Sequence, residues 1–147
     1  MLSKGRIQRR SAFTLVELLI VIVILAVLAA IAIPRFMNSG QRSKEASLKS
    51  DMKLIRNAVQ VFQTDTGAYP ASLDALVLTT APAAGVDTAG AAKTINAPDW
   101  KGPYMQSVPA DPVSGSTLTY STTAGTVGKV SSSASGNDSD GNPYSGY

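Results

Sequence analysis

The chain has 147 residues, a formal charge of +3, and neither cysteine nor histidine. Without those two residue types there is no disulfide framework, no thiolate nucleophile and no imidazole base or metal ligand, so catalysis would have to rest on carboxylates, lysines, tyrosines and hydroxyls. Lys4, Arg6, Arg9 and Arg10 supply four of the thirteen basic side chains, which leaves nine basic against ten acidic residues beyond position 12; the charge belongs to a short leader, not to a basic stripe on a folded body, and no nucleic-acid partner is expected.

After the basic leader, residues 1–12, the segment 18–33 is an uninterrupted apolar run, and back to Phe13 only Thr14 and Glu17 break it. As a helix, residues 13–33 would extend roughly 31 Å, enough to cross the hydrocarbon core of a bilayer. A secretory signal peptide also begins with a basic segment and an apolar stretch, and Ala30-Ile31-Ala32 resembles its cleavage site. This run exceeds the usual length of about 7 to 15 residues, and a carboxylate at its start is foreign to that pattern. Arg35, Arg42, Lys44, Lys49 and Lys53 follow closely, so the count of flanking positive charges does not orient the span.

From residue 35 the sequence turns polar but keeps a helical period to residue 63. Leu48, Met52, Ile55, Val59 and Phe62 make one apolar stripe, with Lys49, Lys53, Arg56 and Gln60 on the other face; the spacing predicts an amphipathic helix lying on a small domain. Pro34 removes a helical donor and Gly40 adds a second weak point, so a mild kink with local flexibility is expected where the helix leaves the membrane. Gly67 and Pro70 end the helix. Ser72 to Leu76 reads as a short capped turn, within a loop region spanning 64–116 whose segment 79–99 is rich in Ala, Thr, Gly and Pro. A small sheet is expected over 117–132, with strands near 117–122 and 126–132, packed on the apolar stripe to give an α+β fold. Residues 133–147 form a Ser-, Gly-, Asn- and Asp-rich tail.

The segment running from Ala12-Phe13-Thr14-Leu15-Val16-Glu17 to Ile33-Pro34 closely resembles the N-terminus of type IV prepilins and pseudopilins: a basic leader, a Phe at the scissile junction, a Glu four residues later and a Pro just past the apolar run. The resemblance implies a pilin-like fold and cleavage by a prepilin peptidase on the cytoplasmic side between Ala12 and Phe13, followed by N-methylation of Phe13. It implies that residues 13–34 span the membrane and later form filament core, and that 35–147 form a periplasmic domain. Glu17 would neutralise the new α-amino group of a neighbouring subunit; a carboxylate inside an apolar helix costs a few kcal/mol unless paired. The chain departs from the family at Ala12, where Gly is usual, and at Ala26, where many pilins have Gly.

The body motifs Asp65-Thr66-Gly67-Ala68-Tyr69-Pro70, Ser72-Leu73-Asp74-Ala75-Leu76, Gly102-Pro103-Tyr104 and Pro109-Ala110-Asp111-Pro112 resemble the major, G-type pseudopilin of type II secretion systems. That resemblance implies a non-enzymatic subunit of the bacterial inner membrane, with its N-terminus cytoplasmic, later present in a periplasmic or extracellular filament. The partners implied are further copies of the chain, minor pseudopilins, the prepilin peptidase, a cytoplasmic ATPase and an inner-membrane assembly platform. It also implies a calcium ion holding the tail in place of the disulfide of many pilins, with Asp138 and Asp140 as first ligands. No other cofactor is expected. A type IV pilin or competence pseudopilin for adhesion, motility or DNA uptake is the alternative. A membrane-tethered enzyme or binding domain would require convergent polar groups, and no recognisable nucleophile, base or phosphate loop follows residue 64.

Overall fold

The computed structural model describes residues 13–147, with backbone alone for 34–38, and the chain divides into two units, Met1–Asn38 and Ser39–Tyr147. One helix, α1 (Leu15–Thr66, 52 residues), begins in the first and ends in the second. Within the first unit, Leu15–Ile33 has a mean hydropathy of 3.2 and none of it is buried. A helix that is apolar on every face has no polar side to offer water, so lipid or other apolar helices must cover it.

In the second unit α1 is amphipathic. Leu48, Met52, Ile55, Val59 and Phe62 are all buried, as their spacing predicts, and Leu73, Leu76, Ile95, Leu118, Val130 and Tyr144 pack with them in a single core. The helix ends three residues later than residue 63. The Gly67 N–H still donates to Gln63 at 2.9 Å, and Gly67 then takes φ 68°, a left-handed conformation that costs glycine nothing. The Thr66 hydroxyl bonds the Phe62 and Ala68 carbonyls, which secures the exit.

The capped turn expected after Pro70 is a 3₁₀ helix, Leu73–Leu76, whose preceding Ser72 is extended and makes no side-chain cap bond. The region 64–116 is not all loop: β1 (Ala84–Val86) and β2 (Ala92–Thr94) pair antiparallel within it. Their turn is set by Asp87, whose carboxylate accepts the N–H groups of Ala89 and Ala91. Tyr69 and Val86 exchange two backbone bonds of 2.8 Å, which docks this hairpin beside the helix end. The sheet expected over 117–132 is a separate and shorter ladder, β3 (Thr119–Tyr120) with β4 (Val130–Ser131). Ser121 continues it with backbone bonds to Lys129 and Gly128, and the connection then turns through bonds from Thr126 to Thr123 and from Lys129 to Thr126.

The basic face of α1 is exposed, yet two of its members serve the fold: Arg56 donates to the Val130 carbonyl at 2.9 Å, and the Lys49 ammonium lies 5.0 Å from the Tyr147 ring centroid. Phe62, Tyr104 and Trp100 meet in sequence, the first pair tilted and the second edge to face, with centroids 5.2 and 6.1 Å apart. The Tyr104 hydroxyl reaches Asp65 at 3.1 Å and thereby ties the loop after a second 3₁₀ turn, Ala97–Asp99, to the end of α1.

Candidate functional site

The start of α1 is a reciprocal cap. Thr14 Oγ1 accepts the Glu17 N–H at 3.2 Å, while Glu17 Oε2 accepts the Thr14 N–H at 3.0 Å and the Thr14 hydroxyl at 2.9 Å. This is the Thr-x-x-Glu capping box, which satisfies two orphan donors at once and places a carboxylate at the positive end of the helix dipole. The pattern stands in the sequence, but it is masked there by the apolar run around it. Both bonds from Thr14 fall on Oε2. Phe13 precedes the cap and is 77% exposed. Ala12, its partner at the expected cleavage point, lies outside the described residues. Pro34 lies within α1, which continues through it, and Gly40 is an exposed helical residue with nothing within 4 Å of where a Cβ would stand.

At the other end of the chain the tail returns to α1. The stripe continues two steps towards the N-terminus beyond Leu48 with polar residues: Glu45, buried at 5% exposure, and Gln41, which is exposed. Glu45 Oε1 accepts the Tyr144 hydroxyl at 2.8 Å and the Ser139 N–H at 3.0 Å, and Gln41 donates to the same hydroxyl at 2.7 Å. Burial pushes the Glu45 carboxyl up, but these donors outweigh it and hold it below its usual value.

Asp138 is buried beside them. The Tyr147 hydroxyl is the strongest influence on it, and together with donors from Asn142 and Asp140 it holds the carboxyl down to about 2 against the opposing effect of desolvation. Asp140 is largely exposed and lies 3.9 Å from Arg42. Asp138 and Asp140 are thus brought to the same turn, but among the described residues no group of three or more acidic side chains gathers there or elsewhere to hold a metal ion.

A further carboxylate, Asp111, escapes sequence reasoning. It is fully buried, and its oxygens accept N–H bonds from Val113, Ser114 and Ser133 and hydroxyl bonds from Ser132 and Ser133. Desolvation alone would raise this carboxyl; the Ser132 hydroxyl and the backbone donors prevail and lower it. In Pro109-Ala110-Asp111-Pro112 an Asp reads as an ordinary turn residue, and nothing local points to serines about twenty positions away.

A helical segment apolar but for Glu17 in its first turn, capped there with Thr14 and continued into a small α+β domain built on an amphipathic stripe, defines the pilin-like class. The family model for the prokaryotic N-terminal methylation motif matches residues 7–33, and that for type II secretion system protein G matches residues 35–144. The chain belongs to the type II secretion system protein G family. It is similar to the type II secretion system core protein G of Klebsiella pneumoniae, at 32% identity over 106 residues covering 71% of this chain and 70% of that protein. Core protein G of Pseudomonas aeruginosa is 38% identical over 73 residues, 48% of this chain, and the match spans about half (51%) of that relative's length. The type IV major pilin protein PilA of Myxococcus xanthus is 41% identical over 61 residues, 42% of this chain and 28% of its own. No solved structure matches.

Proposed function

We propose that this chain is a structural subunit of a type II secretion pseudopilus, polymerising through its N-terminal helix to support protein export. The observation that carries the reading is the apolar segment Leu15–Ile33, unburied along its length and joined directly to a domain of the protein G family. Such a segment is stable in two settings, a bilayer and a bundle of like helices, and transfer from one to the other is what assembly from a membrane pool requires. In this scheme the prepilin peptidase cuts between Ala12 and Phe13, Phe13 is N-methylated, and the domain lies in the periplasm. The partners are further copies, minor pseudopilins and the inner-membrane platform with its ATPase. The protein has no catalytic role.

Glu17 is the residue on which assembly turns. Its carboxylate already caps its own helix through one oxygen, which lessens the cost of carrying it at the membrane face. The same charge, presented to the α-amino group of Phe13 in a neighbouring copy, would set the axial stagger. Glu17→Gln separates the two roles, because Gln retains the capping box while removing the charge. The expected outcome is a variant that is inserted and processed, with methylated Phe13 found by mass spectrometry, but gives no filaments. Normal filaments from Glu17→Gln would overturn the role of the charge, and a mature N-terminus at Ile33 would replace the whole scheme with secretion.

The likeness to a type IV major pilin over 61 residues supports a second reading, a pilus subunit for adhesion, motility or DNA uptake. Deleting the gene distinguishes the two. Loss of exported proteins with motility and DNA uptake intact supports the secretion role, and the reverse supports the pilus.

A further inference from the structure

The family resemblance implies calcium at the tail, with Asp138 and Asp140 as its ligands, and the donor set there does not fit that ion. Calcium takes about six to eight oxygens with lone pairs turned towards it. Asp138 has already given its lone pairs to protein donors on both sides. Oδ1 accepts the N–H groups of Asp140 at 2.9 Å and Asn142 at 2.7 Å, and Oδ2 accepts the Asn142 side-chain amide at 3.3 Å and the Tyr147 hydroxyl. Asn142 therefore turns its amide nitrogen, not its oxygen, towards the carboxylate. The Asp140 carboxylate faces the Arg42 guanidinium. Arg42 and Lys49, both on α1, bring fixed positive charge to this turn, and a divalent ion would have to compete with both at short range.

What closes the tail instead is visible in the same residues. The helical stripe that buries Leu48 to Phe62 continues as Glu45 and Gln41, and these two take up Tyr144 and Ser139 from the tail. Three residues after Tyr144, Tyr147 reaches back to Asp138, with its ring 5.9 Å from that of Tyr144 and under the Lys49 ammonium. Each carboxylate is met by a tyrosine hydroxyl and at least one backbone N–H, charge-assisted bonds that hold the tail turn to the helix. We propose that the C-terminal turn is held on α1 by a metal-independent clamp, in which Tyr144 and Tyr147 supply to Glu45 and Asp138 the donors that make a bound cation unnecessary.

Thermal unfolding of the full chain in detergent micelles, followed by near-UV circular dichroism, tests the clamp. Excess EGTA and then millimolar calcium should each leave Tm where it was, whereas Tyr144→Phe and Tyr147→Phe should each lower it by about 5 °C. A calcium site at a hundredfold excess over its Kd would raise Tm by about 10 °C or more. A fall in EGTA reversed by calcium overturns the proposal. So does a Tyr147→Phe variant that melts like the parent, and because this change removes only one hydroxyl from a half-buried ring, it remains informative should Tyr144→Phe fail to fold.

Discussion

Asp111 has no solvent at any of its atoms, and the five donors around it are neutral hydroxyl and backbone groups. A buried carboxylate without a cation is tolerable only when dipoles replace its hydration, so each donor matters more than a surface bond would. Asp111→Asn should cost about 2–4 kcal/mol, because an amide nitrogen would face N–H groups that need an acceptor; denaturant unfolding measures it. The pH dependence has a definite sign. A carboxyl whose folded pKa lies below its unfolded value, about 3.9, stabilises fully above that value and loses the contribution as pH falls through the folded one. Tm should therefore hold down to about pH 5 and decline progressively below it, in a decline to which Glu45 and Asp138 add with the same sign. The Asp111→Asn variant should start lower and decline less steeply, and an equal slope would remove Asp111 from the account.

The long helix α1 was legible where its chemistry repeats. Five apolar residues at alternating spacings of four and three predict a buried face, and all five are buried. Gln41 and Glu45 continue the same spacing, but as polar residues they give no sign that the tail docks there, since the tail groups that bond them lie about a hundred positions away. The β1–β2 hairpin is obscure for another reason. Ala-Gly-Val and Ala-Lys-Thr carry no alternation and little β-branching, so the pairing is set by the Asp87 turn and by contact with Tyr69, neither of which is a periodic signal. Gly85 stands so close to Tyr69 that a Cβ would lie 2.3 Å from its carbonyl oxygen, a constraint that only the folded chain displays. Gly40 carries no such constraint. Gly40→Ala should stabilise α1 by about 1 kcal/mol and raise Tm by roughly 4–8 °C. If weakness at this point serves packing in a filament, the same variant will melt higher and assemble less, as counted by electron microscopy.

The chain as a whole places two kinds of order in one helix. Packing against a core orders α1 from Glu45 onward, whereas Leu15–Ile33 buries nothing and takes its order from backbone hydrogen bonding in an apolar surrounding. Detergent preserves that surrounding after the domain has come apart, so heating should remove the two kinds separately. Near-UV signals from Trp100 and the tyrosines report only the domain and should vanish in a single cooperative step. Far-UV helicity should fall at the same temperature to a plateau, because the 19 residues of the span are about a third of the 52 in α1. A loss of ellipticity to the coil value at that step would show that the span depends on the domain. Under the proposed function, the persistent plateau is the spectroscopic mark of a helix still able to associate after the domain has unfolded.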